Sequence, residues 1–422
     1  MAASAPLRLK ATLPVELGEQ IRLLLAYLEV DFIDRRYKIG PALTYHSDTW
    51  LPDKFSLGLE FPNLPYYIDG DFKLTHLRAI VEFIAEVHGM LPECKKQRAV
   101  LHMLQCEIMD LRMPFIATFF GPDCQVGILD GAVVVLCVSS GRVCQRRCCL
   151  LCVQINYPDF ALCDLLMQMT KSEPTYLQGY PKLQAYLWRF ELRISPMLDL
   201  AMPRSQLGLA PGTYVSSVYT TMAPILGYWD IKGLGEQIRL LLKYLGVEFV
   251  DKQYKLGPPP TYDKSGWLPD KFSLGLDIPN LPYYIDGDFK LTQSGAIMEY
   301  IADIHSMIPE CKKRRAVLHM LQCEIVDLRM AFGRTYYSPD IEKLKPAFFE
   351  TLAQKLPQFE AYLGEKQWLT GEKINYPDFA LCDLLMQMMG VEPTCLRKHP
   401  ILQAYLSRFK NLPELEDYLA SK

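Results

Sequence analysis

The chain has 422 residues and carries nearly the same text twice. LPDKFSLGL fills Leu51–Leu59 and again Leu268–Leu276. NLPYYIDGDFKLT fills Asn63–Thr75 and again Asn280–Thr292, and RAVLHMLQCEI fills Arg98–Ile108 and again Arg315–Ile325. Each pair lies 217 residues apart. INYPDFALCDLLMQM at Ile155–Met169 returns at Ile374–Met388, now 219 residues on. A period this long marks a duplicated domain, because solenoid units run to only about 20–50 residues. Each copy therefore shows what the other has kept or lost.

Half the residues are hydrophobic and 22% are charged, enough for a sizeable core. A net charge of −3 supplies no basic field for nucleic acid or an anionic membrane. No stretch of about 20 apolar residues suggests a spanning helix, and Met1–Lys10 does not read as a signal segment. Of 13 cysteines, six crowd between Cys124 and Cys152. The second copy has only Cys311, Cys323, Cys382 and Cys395, widely spaced. That spacing suits reduced thiols and a cytoplasmic location, not a disulfide framework.

The second copy, 222–422, reads cleanly. Pro224–Trp229 is a short strand, followed by a turn through Gly233 and Gly235. Ile238, Leu241, Leu242 and Leu245 form one helical stripe, which Gly246 ends. Glu248–Tyr254 is a second strand and Lys255–Trp267 a loop, with Pro258, Pro259 and Pro260 in it. Tyr283–Ile285 and Phe289–Leu291 flank Asp286-Gly287, a hairpin signal. Ser294 then opens a helix with Ile297, Tyr300, Ile301 and Ile304 on one face. From there the pattern is helical, over Arg315–Met330 and Leu344–Leu363. A further helix begins at Asn375-Tyr376-Pro377-Asp378, where Asn375 can cap and Asp378 can reach back.

The first copy, 1–190, departs in three places. No strand is expected opposite Met222–Gly233, where Ala11 stands against Tyr228. Residues 124–154 replace 341–373 with a stretch that shares neither period nor sequence with its counterpart. Residues 191–221 replace the last helical segment and read as an irregular linker rich in Pro, Ser and Gly. Pro114 falls inside the counterpart of the long helix, where it should kink or break it at about 3 kcal/mol.

PILGYWDIKGLGEQIRLLL, the WLPDKFSLGL loop, the PNLPYYIDGDFKLTQS block and the NYPDF helix start occur in one order across Met222–Lys422. Together they resemble a mu-class glutathione transferase. The resemblance implies an α/β thioredoxin-like domain at 222–305 and an all-α domain at 306–422. It also implies a degenerate copy made of a thioredoxin-like remnant at 16–89 and a helical remnant at 90–190. It further implies a homodimer that joins the thiol of glutathione to small apolar electrophiles, with glutathione as co-substrate and no metal or other cofactor. A free thiol, with pKa about 8.5, is only a few per cent thiolate at pH 7, so a hydroxyl aimed at sulfur would favour the reactive form.

By resemblance Tyr228 is that hydroxyl, and Tyr337 lies beside the electrophile as a proton donor. Trp229, Leu234, Lys264, Trp267, Lys271, Asn280, Leu281, Gln293 and Ser294 would line the glutathione site. Leu281 precedes a cis proline, and Gln293-Ser294 meets a carboxylate at a helix N-terminus. Asp327 would reach across the dimer to the neighbour's ligand. Ile278 stands where the family, and this chain's own first copy at Phe61, has an aromatic that keys into the neighbouring subunit.

The plainer readings are a core tyrosine, solvated lysines and a simple N-cap serine. They would leave a non-catalytic binding or structural protein of the crystallin kind. Other templates fail. Gly233-Leu234-Gly235 lacks the third glycine of a dinucleotide loop, and the seven histidines have no zinc spacing. The Cys144–Cys152 cluster has no regular element to hold it. In the first copy Trp50, Lys54, Asn63, Leu64 and Pro65 remain, but Ala11, His76, Leu77 and Phe120 replace Tyr228, Gln293, Ser294 and Tyr337. That copy is expected to fold poorly and not to catalyse.

Overall fold

The computed structural model describes residues 7–10, 17–37, 49–120, 155–199, 223–258 and 262–421. The first copy runs β1 (Leu7–Lys10), α1 (Glu19–Tyr27), β2 (Phe32–Arg35), α2 (Leu51–Lys54), β3 (Tyr66–Asp69), β4 (Phe72–Thr75), α3 (Leu77–Val87), α4 (Lys95–Phe120), α5 (Tyr157–Ser172) and α6 (Pro181–Asp199). The second runs β5 (Ile225–Trp229), α7 (Glu236–Tyr244), β6 (Val250–Tyr254), α8 (Leu268–Lys271), β7 (Tyr283–Asp286), β8 (Phe289–Thr292), α9 (Ser294–Ile304) and α10 (Lys312–Tyr336). It closes with α11 (Ile341–Leu363), α12 (Tyr376–Val391), α13 (Pro400–Lys410) and α14 (Glu416–Ala420). No helix among the described residues is long and apolar enough to cross a membrane.

Each copy has one four-stranded sheet, in the order β6-β5-β7-β8 or β2-β1-β3-β4. The central strand is parallel to one neighbour, as a βαβ crossover requires, and antiparallel to the hairpin on its other side. Gly246 ends α7 with φ 63°, and Gly287 turns the hairpin with φ 58°. At α12 the Asn375 side chain accepts from Tyr376 N at 2.9 Å, while Asn375 N donates to Asp378 at 2.8 Å. The reciprocal cap expected from NYPD is therefore present, and α5 repeats it with Asn156 and Asp159.

Three expectations for the first copy need correction. A strand does form opposite β5. Leu9 pairs with Tyr67 as Leu226 pairs with Tyr284, because a sheet centre is held by backbone bonds that tolerate side-chain loss. Helix α4 is not broken at Pro114 but continues to Phe120, since packing of its flanks against α5 and α9 outweighs one lost bond. The segment 191–221 is not wholly linker: α6 runs on to Asp199, with Leu183, Leu187, Phe190 and Ile194 buried along one helical stripe. The first copy thus has an ordinary core among its described residues. Ala11 and 124–154 lie outside them.

The two copies share one continuous apolar core. Helix α3 packs on α10, and α4 on α9, as pseudo-twofold mates. Ion pairs cross this seam in matched sets. Arg98 meets Asp303 at 2.8 Å and Arg315 meets Glu86. His102 meets Glu299 at 2.7 Å and His319 meets Glu82 at 2.9 Å. An aromatic contact breaks the match among the described residues. Phe61 is fully buried between Phe359 and Tyr362, with ring centroids 5.2 Å from each. Ile278, its counterpart, is also buried but brings no ring. Phe61→Ala should lower stability by about 3–5 kcal/mol, seen as an earlier urea midpoint. A shift no larger than that of an exposed Phe55→Ala control would show that the key contributes nothing.

Candidate active site

Tyr228 comes from the fourth position of β5 and is only 6% exposed. The loop after β5 folds over its ring. A Cβ on Gly235 would sit 2.6 Å from Tyr228 Cδ1, and one on Gly233 2.7 Å from its hydroxyl oxygen, so only glycine lets the backbone pass. Leu234 N donates to the Tyr228 hydroxyl oxygen at 3.0 Å. With its oxygen already accepting, the hydroxyl has its own proton free to donate. Burial pushes the Tyr228 hydroxyl above its ordinary value, against the opposing pull of the Leu234 N–H, so it stays protonated at neutral pH.

The helical domain anchors this loop. Arg329 on α10 is buried, pairs with Asp383 of α12 at 2.8 Å, and donates to the Gly233 carbonyl at 3.0 Å and the Ala380 carbonyl at 2.8 Å. Gln387 adds a second donor to the Gly233 carbonyl at 3.2 Å. Arg329 and Gln387 were not singled out from the sequence, where a lone Arg on a helix looks like surface charge. Tyr337, at the C-terminal end of α10, is 45% exposed and raises Tyr228 electrostatically. Its ring meets Tyr262 edge-on at 6.3 Å.

The polar half of the site is built on the hairpin and α9. Trp267 is buried, stacked on Tyr283 at 5.7 Å, with Trp229 and Leu281 packed against the same cluster. Asn280 accepts from Leu281 N at 2.9 Å, and the Leu281–Pro282 peptide is cis, as is Leu64–Pro65. Gln293 stands before α9 with φ 71°, and His76 stands before α3 with φ 66°, so this strained backbone belongs to the fold of both copies. Ser294 is the first residue of α9 and is buried. Three expected members are less embedded, Asn280 being exposed as well. Lys264 is exposed, and the Lys271 ammonium lies over the Phe272 ring at 5.4 Å.

The seam supplies the rest, from the other copy. Gln293 Nε2 donates to Asp110 of α4 at 2.8 Å. Glu107, one turn earlier, is faced by the Asn280 and Gln293 amides, while its buried Oε1 has no hydrogen-bond partner among the described residues. Burial pushes Glu107 up to about 7, against the pull of those amides. Asp327 does not lie here. It faces the first copy across the seam, 3.7 Å from His76, and the carboxylate beside Gln293 is that of its pseudo-twofold mate, Asp110.

At that opposite position His76 meets Glu324 at 2.7 Å, and Lys355 meets Glu324 at 2.6 Å. Arg78 is also near, drawn by Asp327 and donating to Cys106 Sγ at 3.5 Å. One His/Glu group among the described residues, Glu82, His102 and His319, gathers its ligand atoms within 4.8 Å. Each imidazole is already paired with a carboxylate from the other copy, and Arg98 and Arg315 line the same cavity, so the group reads as an ion-pair cluster.

The profile of the glutathione S-transferase N-terminal domain matches residues 7–86 and again 224–303, and that of the C-terminal domain matches 326–422. Glutathione S-transferase Mu 1 of Bos taurus is 45% identical over 200 residues, 47% of this chain and 92% of that protein. Glutathione S-transferase 2 of Gallus gallus is 46% identical over 47% of this chain and 91% of that protein. The solved glutathione S-transferase Blo t 8 is 35% identical, over 46% of this chain and 91% of that one, with a TM-score of 0.43.

Gly235→Ala should displace the Tyr228 ring and cost about 1–3 kcal/mol, read as a lower thermal midpoint and a moved Tyr228 in a crystal structure. An unmoved ring would show that the loop has slack.

Proposed function

The chain belongs to the glutathione S-transferase family, and from that premise we propose that it conjugates glutathione to small apolar electrophiles at the second copy. The observation that carries this reading is the Tyr228 hydroxyl: buried, protonated, accepting from Leu234 N, and so left with its own proton to donate. In the proposed reaction the glutathione thiol gives its proton to solvent, and Tyr228 donates a hydrogen bond to the resulting thiolate. The sulfur then attacks an electrophilic carbon, and the leaving group departs or takes a proton from Tyr337.

Around the tripeptide, Leu281 would pair with the cysteinyl backbone, and Ser294 at the start of α9 with the γ-glutamyl carboxylate. Trp229, Leu234, Trp267 and Asn280 would form the walls, with Lys264 and Lys271 as cations for the glycyl carboxylate. Glu107 and Asp110 face the place where the glutamyl ammonium would lie. A cytoplasmic location, where glutathione is kept reduced, fits this chemistry.

Tyr228→Phe removes one hydrogen bond to a charged sulfur, about 1.5–3 kcal/mol. Turnover with a generic aromatic electrophile should fall by about 10–100-fold while glutathione affinity stays nearly intact, and the bound thiol should titrate closer to its free value. Unchanged turnover would overturn the assignment. The pH dependence has a definite sign. Glu107 must be ionised to receive an ammonium, and its pKa stands at about 7 without one. Glutathione affinity should therefore be steady above pH 7 and fall as pH drops below it, and Glu107→Gln should flatten that profile in calorimetric titrations. A profile identical in the variant would separate Glu107 from the ligand.

A further inference from the structure

We infer that each chain is its own dimer: the first copy is a built-in partner that completes the second copy's site and closes the reciprocal one. This rests on the glutathione reading above and names the partner it requires. Three independent contacts carry it.

The first is the aromatic key. Phe61 fills the slot formed by Phe359 and Tyr362, and the second copy has Ile278 at the matching place. Two second copies facing each other would have no Phe to insert. The first copy therefore supplies the one ring that fits the second copy's slot.

The second is the division of the carboxylates. Glu107 and Asp110 of α4 face Asn280 and Gln293, the polar end of the working site. Glu107 Oε1 is buried without a hydrogen-bond partner among the described residues, a state that an incoming ammonium would relieve. The site as built in one chain thus includes residues from both copies.

The third is what stands at the mirror position. There Glu324 and Asp327 face His76 and Arg78, which replace Gln293 and Gly295 of the second copy. A histidine and an arginine of the protein lie where the working site leaves room for the ligand's ammonium. The same carboxylate pair would therefore meet a ligand on one side and meets side chains of the protein on the other. The exchange fixes which copy is partner and which is enzyme. A pairing of two second copies would leave Glu324 and Asp327 without His76 and Arg78.

The test uses the full chain. Light scattering should return the mass of one chain, 48.4 kDa, at micromolar concentration, and twice that mass would overturn the proposal. Calorimetric titration with glutathione should give one site per chain. Asp110→Asn should weaken binding about tenfold, the scale of one hydrogen bond to a charged group. Asp327→Asn, outside the working pocket, should leave binding unchanged. Loss on Asp327→Asn alone, equal loss in both variants, or loss in neither would overturn the assignment of the first copy as partner. If the wild-type chain binds no glutathione, the reading of function fails, while the mass still decides the pairing.

Discussion

Helix α4 of the first copy lies along α9 of the second, and the share of the candidate site that comes from the first copy follows from that contact. It places Asp110 against Gln293 and Glu107 beside Asn280. Its apolar face merges the two copies into one core, and its charged edges are matched by Arg98 with Asp303 and His102 with Glu299. Exposed ion pairs contribute little, about 0–1 kcal/mol. Here the pairs are half or more buried and set in register by packing, so their main effect is to specify one alignment. The copies are related by a pseudo-twofold, yet the seam is not symmetric in chemistry: Phe61 faces Ile278 in role, and His76 faces Gln293.

Within the second copy, a buried pair plays the corresponding part. Arg329 and Asp383 are almost without solvent, and removing either partner would leave an uncompensated charge, at about 3–5 kcal/mol. The pair lets a residue of the helical domain hold the Gly233 carbonyl, and with it the loop that covers Tyr228. The first copy retains the equivalent Arg112–Asp164 pair at 2.8 Å and the donation from Arg112 to the Ala161 carbonyl at 2.9 Å. It does so although Ala11 stands where Tyr228 would be. The anchor is therefore a device of the fold, kept where the tyrosine is absent. It explains how a copy without its hydroxyl still presents an ordered α4 to its neighbour.

Much of this was legible in residues. The reciprocal cap at Asn375 and Asp378, the hairpin at Asp286-Gly287 and the glycine stop at Gly246 all stand where local chemistry put them. What misled was the weight given to single residues. Pro114 and the unpromising strand at Leu7–Lys10 are weak local signals that packing and a sheet centre override. The stripe Leu183, Leu187, Phe190, Ile194 runs across the expected boundary at residue 190, but the later Pro, Ser and Gly content masked it. The 217-residue offset that maps Asp327 onto Asp110 was also in plain view. Only the choice of partner was missing.

The sequence by itself determined the duplication, the α/β-then-helical order of each copy, and the loss of the hydroxyl and serine from the first. These are local or repeat-level facts, written in periodicity and identity. The tertiary structure alone decided that the two copies face each other, that Glu107 and Asp110 rather than Asp327 reach Gln293, and that His76 and Arg78 occupy the mirror position. Those outcomes depend on which surface meets which. A pairing of surfaces is set by shape and charge summed over whole helices, and no single segment carries that sum.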